Sequence, residues 1–134
     1  MKVSFDFDGT LSEPYVQEYA RILVEEGIEV WIVTSRFENA DKYKEFFGTP
    51  TLEYNHSDLW QVANEIGISL ENIHFTNMTE KSEFLKDRDF IWHLDDDYIE
   101  NRAIPRDAKI PSISVSGNWK SKCERLLDKG RQSL

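Results

Sequence analysis

Cysteine is nearly absent from this chain of 134 residues: the single one, Cys123, leaves no partner for an internal disulfide. A lone thiol fits a reducing compartment better than an oxidising one. Long apolar runs are missing as well, the longest being about four residues, such as Val30-Trp31-Ile32-Val33, too short to span a bilayer. The first residues, Met1-Lys2-Val3-Ser4-Phe5-Asp6, lack the apolar core of a secretory signal and meet an acid at once. The expected location is therefore the cytoplasm, away from membranes. Basic residues are in short supply, sixteen Lys and Arg against twenty-five Asp and Glu, giving a net charge of -9 that opposes whole-surface attraction to nucleic acid. The deficit is uneven, because residues 101 to 134 hold 8 of the bases and only 3 of the acids. An anionic partner is therefore expected near the tail. No repeat, low-complexity segment or linker interrupts the chain.

What is present suffices for one globular domain, with 40% apolar and 13% aromatic residues and a length that buries roughly two thirds of the unfolded surface. Short apolar runs alternate with amphipathic stretches, which predicts βαβ units and a mostly parallel central sheet covered by helices on both faces. Strands are expected at Lys2 to Phe7, Ile28 to Val33, Ile73 to Thr76, Phe90 to Leu94 and Ser112 to Val115. The first helix is read from Ser12 as N-cap, Pro14 in the first turn and Val16, Tyr19, Ala20 and Leu23 at helical spacing, with Gly27 closing it. Phe37 to Phe47 with Gly48, and Leu59 to Ile66 with Gly67, mark two more. A short helix at Glu80 to Lys86 and a closing one at Asn118 to Lys129 complete the set. Cys123 is read as a half-buried residue of the last helix. The irregular stretch from Gly48 to His56 is the candidate mobile loop and partial lid.

The chemistry concentrates at strand ends. Asp6-Phe7-Asp8-Gly9-Thr10-Leu11 places two carboxylates two residues apart at the carboxyl end of the first strand, where open α/β sheets bind ligands. An Asp-Gly turn alone would explain Asp8 and Gly9. It would not explain Asp6, a charge at the end of an apolar strand.

This string resembles the DxDGT signature of the haloacid dehalogenase superfamily of phosphotransferases, and the resemblance extends along the chain. Thr34 follows the second strand as the family's second motif does. Lys81 precedes the fourth strand as the third does, and Asp95-Asp96 follow that strand like the fourth. The resemblance implies a Rossmann-like three-layer sandwich and a phosphoric monoester hydrolase. In it Asp6 attacks phosphorus to form an aspartyl-phosphate, and Asp8 serves first as acid and then as base. The acid role calls for a carboxyl tuned towards neutrality. Four carboxylates in one crevice need a cation, and an all-oxygen site facing phosphate suits Mg²⁺. By resemblance Asp6, the Asp8 carbonyl and Asp95 are its ligands, with Asp96 holding a water or Lys81. Thr34 and Lys81 then bind the phosphoryl oxygens, and Gly9, Ser35 and Arg36 are further substrate contacts. Each has a plainer alternative: a solvated helix lysine like Lys86 for Lys81, a surface arginine for Arg36. Asp97 with Glu100 reads as a capping box, and His56, His74 and His93 as structural.

The spacings from Thr10 to Thr34 and from Thr34 to Lys81 leave no room for a separate cap domain, so the chain resembles the capless class, open to bulky phosphorylated substrates. Lys120, Lys122, Arg125, Lys129 and Arg131, with Trp119 as an aromatic surface, could hold a nucleic-acid end; a solvated helix face paired to Glu124 and Asp128 is the plainer reading. Two rivals remain: a receiver-like signalling module, which places its acidic pair first and its phosphoacceptor later, and a catalytically silent relative that binds a partner.

Overall fold

Alternating apolar segments do become strands. In this computed structural model, which describes residues 1–51 and 54–133, they are β1 (Lys2–Phe5), β2 (Glu29–Thr34), β3 (Ile73–Phe75), β4 (Phe90–Asp95) and β5 (Ser112–Ser114). Their order is β3-β2-β1-β4-β5, and the four pairings are all parallel. Six helices connect or flank them: α1 (Pro14–Glu25), α2 (Ala40–Phe47), α3 (Ser57–Ile66), α4 (Lys81–Leu85), α5 (Tyr98–Ala108) and α6 (Trp119–Gln132). No helix among the described residues is long and apolar enough to cross a membrane.

Strand periodicity sorts side chains into two cores. Val30 and Ile32 of β2 join Val3, Phe5, Trp92 and Leu94 under α1, α3 and α6, while Val33 lies with Leu85, Ile104 and Ala108 under α4 and α5. The result is a Rossmann-like three-layer sandwich. Phe90 joins the second core although Trp92, two residues on, joins the first. A register shift between the pairs Lys2↔Phe90 and Ser4↔His93 supplies the extra residue that turns the strand over.

Chain direction reverses at β1: β2 and β3 are laid to one side, β4 and β5 to the other. In such sheets the crevice at the carboxyl ends beside the reversal is the ligand site. The order also differs from the 2-1-3-4-5 arrangement of receiver-type folds.

Several boundaries differ from expectation because side-chain hydrogen bonds compete for the ends. β1 stops at Phe5, and residues Phe7–Leu11 wind into a tight turn in which Leu11 N bonds Asp6 O at 3.1 Å and Ser12 N bonds Phe7 O at 2.9 Å. Ser12 is not the N-cap of α1: its hydroxyl accepts from Gly9 N at 3.0 Å, and Glu13 occupies the cap position. The second helix begins at Ala40 rather than Phe37, since Asn39 caps it by accepting from Lys42 N. Gly48 and Gly67 close α2 and α3 in left-handed conformation as expected. Asp97 caps α5 through Ile99 N, but Glu100 does not complete a capping box, because Asp97 N is already held by Asp95 Oδ1 at 2.9 Å. Cys123 is fully buried rather than half-buried. Of the expected loop from Gly48 to His56, Leu52 and Glu53 lie outside the described residues.

Candidate active site

Parallel pairing of β1 with β4 sets Asp6, just past one strand, beside Asp95 at the end of the next. Asp6 N still bonds Leu94 O at 2.9 Å, which fixes the backbone before the chain turns away. Lys81, the first residue of α4, is only 2% exposed and bridges the two carboxylates, its Nζ 2.8 Å from Asp6 Oδ1 and 2.6 Å from Asp95 Oδ2. Thr10 Oγ1 lies 3.2 Å from Asp6 Oδ2 and 3.3 Å from Asp96 Oδ1, so one hydroxyl ties the turn to both. Carboxylate oxygens of Asp6, Asp95 and Asp96 all lie within 4.8 Å of one another. The expectation that Asp96 holds Lys81 is corrected: the ammonium reaches the two buried acids, and Asp96 is exposed and bonded to Thr10.

Two buried carboxylates and the exposed Asp96 against one ammonium leave an excess of negative charge at the site. Burial pushes Asp6 up to about 8, against the pull of Lys81 and with the push of Asp95. Burial also opposes ionisation of Asp95, but hydrogen bonding to His93 and the charge of Lys81 prevail and hold it below the usual carboxylate range. Lys81 is raised because Asp6 and Asp95 outweigh its own burial. Burial lowers His93 despite the Asp95 bond. The Asp95 carboxylate can only accept, so Nε2–H donates to its Oδ2 at 2.7 Å, and in a neutral ring Nδ1 accepts from the Ser4 hydroxyl at 2.7 Å.

Of the remaining candidates Asp8 and Ser35 line the same opening, whereas Thr34 and Arg36 do not bound it. A crevice of about 290 Å³ is bounded by Asp6, Asp8, Ser35, Lys81 and Asp95 to Asp97. Thr34 is buried beneath it, and its Oγ1 accepts from Arg36 N at 3.3 Å. Asp8 is exposed and gripped by Arg36, with Nε at 2.9 Å from Oδ2 and Nη2 at 2.7 Å from Oδ1. Arg36 is not the solvated surface arginine of the plainer reading. Its side chain is 17% exposed, lies over the Phe7 ring, and forks to Asp58 as well as Asp8, at 3.0 and 2.8 Å.

Sequence reasoning missed His93 and Asp58. His93 precedes Asp95 by two on a strand, which places both on one side and is a legible signal. Asp58 sits 22 residues from Arg36 and offers no local cue. His56 Nε2 bonds Phe37 O at 2.8 Å while its Nδ1 lies 3.3 Å from Arg36 Nη1, and His74 stacks on Phe84. Trp119 is not a surface aromatic, being 9% exposed within the first core. Glu124 accepts from the Tyr19 hydroxyl instead of pairing with a neighbouring base, and Arg131 pairs with Asp128 and Glu26.

Neither the protein-family models nor the curated proteins match this chain.

Proposed function

We propose that this protein is a phosphomonoester hydrolase of the haloacid dehalogenase type, dependent on Mg²⁺ and acting through an aspartyl-phosphate on Asp6. The observation that carries the reading is the cluster of Asp6, Asp95 and Asp96 oxygens within 4.8 Å, crossed by the Lys81 ammonium at the sheet's reversal point. Its donors are all oxygens and its charge is negative, which fits a hard divalent cation. Asp6 and Asp95, with the Asp8 carbonyl, would hold Mg²⁺, and Asp96 would support them from beside Gly9. When bound, the ion would neutralise phosphate charge as the transfer proceeds.

The chain's own groups divide the remaining work. Lys81 and the Thr34 hydroxyl, with backbone N–H groups near Ser35, face the phosphoryl oxygens. An Asp6 oxygen attacks phosphorus as the bond to the leaving oxygen breaks, and that oxygen takes its proton from Asp8. Water then attacks the aspartyl-phosphate and gives a proton to Asp8, releasing inorganic phosphate and restoring the Asp6 carboxylate. Asp8 must exchange the Arg36 fork for the leaving oxygen during this cycle, and the second carboxylate, Asp58, keeps Arg36 in place when it does. With no inserted domain between the motifs, the crevice is of the capless kind.

Phosphate release from a panel of phosphomonoesters, with and without Mg²⁺, tests this reading. Turnover should require the ion and fall by at least about a thousandfold in Asp6→Asn, with unchanged circular dichroism. Undiminished turnover in that variant would remove Asp6 as nucleophile.

A further inference from the structure

Beside the crevice α2 carries aromatic rings that the fold leaves uncovered. None of its residues is buried, and Phe46 and Phe47 are 58% and 52% exposed. Adjacent exposed aromatic side chains next to a ligand crevice mark a surface meant to be covered. Phe46 leans on buried Phe37, ring centroids 5.4 Å apart, and the two wall a hollow of about 330 Å³ shared with Thr76, Thr79 and Lys42.

This hollow neighbours the catalytic opening through shared walls. Thr79 also lines a smaller cavity of about 180 Å³ together with Ser35 and Lys81, and those two line the crevice at Asp6. The loop between the hollows is held rigid: Asn77 N and Met78 N donate to Arg36 O and Ser35 O at 3.2 and 2.9 Å, and Asn77 Oδ1 accepts from Glu38 N at 2.8 Å. Both Asn77 and Met78 have positive φ, 56° and 65°, a conformation that non-glycine residues keep only where surrounding bonds impose it.

Distance and chemistry narrow the occupant. Thr76 follows β3, and its N–H bonds Thr34 O at 2.8 Å at the end of β2, so its backbone stands two strand spacings across and two residues further along, about 12 Å, from that of Asp6. A group filling the hollow while its phosphate meets Asp6 must be carried on a short spacer. An aryl phosphate has its ring on the bridging oxygen and falls short, whereas a nucleotide interposes a pentose. Thr76 is 4% exposed and its Oγ1 has no hydrogen-bond partner. Thr76 lines the hollow, and a rotation about χ1 that turned the hydroxyl into it would let the polar edge of a base satisfy it.

Resting on the phosphatase reading above, we propose that this hollow is the leaving-group subsite and takes a nucleobase stacked on Phe46, the substrate being a nucleotide, free or at a chain end. The test compares kcat/KM for adenosine 5′-monophosphate and ribose 5-phosphate, which share the phosphoester and differ by the base. The wild type should prefer the nucleotide by about tenfold or more, and Phe46→Ala should collapse that preference. Thr76→Val should reduce it, and Leu70→Ala, which alters an exposed apolar residue before β3 at the opposite end of the sheet, should leave it intact. A 5′-phosphorylated trinucleotide run alongside assigns the source, faster turnover of either nucleotide form upholding the subsite. Equal kcat/KM for the nucleotide and the sugar phosphate would overturn it. So would a Phe46→Ala variant that alters self-association in light scattering while the preference persists. Should no phosphate be released from any substrate, the phosphatase reading fails separately, and adenosine titrated into the wild type by NMR decides the subsite. Shifts centred on Phe46 and Thr76 and lost in Phe46→Ala uphold it, and their absence overturns it.

Discussion

At Gly9 the backbone has φ +77°, and a Cβ placed there would run into the Asp96 carboxylate. Gly9→Ala is therefore expected to lose more than about 1 kcal/mol of stability and to displace Asp96, which thermal unfolding and a Mg²⁺ titration would register. Arg36 offers a second test at this scale. Its hydrogen bonds hold Asp58 at about 2, below the ordinary 3.8. Since the folded value is the lower one, the pair's contribution is present above pH 3.8 and is lost as pH falls towards 2. Asp58 is 58% exposed, so solvent screening keeps that contribution to about 0.5 kcal/mol. Asp58→Asn should flatten the dependence of urea stability on pH across this interval; an unchanged slope would make the pair silent.

Elements follow from periodicity until a side chain finds a better partner than the helix end. The apolar spacing in α1, α3 and α6 is what places Val16, Leu59 and Leu127 in one core. Leu127 is fully buried, and Leu127→Ala is expected to cost about 2–5 kcal/mol, seen as a lowered denaturant midpoint with unchanged m-value. A smaller loss would mean that α6 closes over the space. The starts of helices were harder to read than their ends. Gly48 and Gly67 announce themselves because the left-handed cap favours glycine. Ser12 misleads because its hydroxyl can serve either the helix or the Gly9 turn, and the choice depends on where β1 and β4 hold Asp6.

At the scale of the molecule five aspartates, Asp6, Asp8 and Asp95 to Asp97, meet at one opening. A cation that binds the folded state alone stabilises it by mass action, by about 2.7 kcal/mol at a concentration one hundredfold above its dissociation constant. Tm should rise with Mg²⁺ in the wild type and rise less in Asp96→Asn; a Tm indifferent to Mg²⁺ would remove the metal from the reading. The basic tail is spread along α6 rather than gathered at the crevice. Gly130 abuts Met1 and Ile91, at the amino-terminal side of the sheet, so Lys129 and Arg131 stand at the end away from Asp6, while Lys120 lies over the Tyr19 ring.

The sequence by itself determined the layered α/β fold, because strand and helix periods are local patterns; Asp6, Asp8, Thr34 and Asp95 were singled out at strand ends by resemblance to a family signature that local strings carry. Tertiary structure decided how Lys81, chosen over Lys86 by resemblance, is held: it is buried between Asp6 and Asp95, while Lys86 is exposed. It also recruited Asp58 to Arg36 and left Phe46 bare beside the opening. These outcomes depend on contacts between distant segments and on which face each strand presents after the β1–β4 register shift. No window of neighbouring residues contains that information, since it arises only when the sheet closes and buried charges must find partners or pay the cost of desolvation.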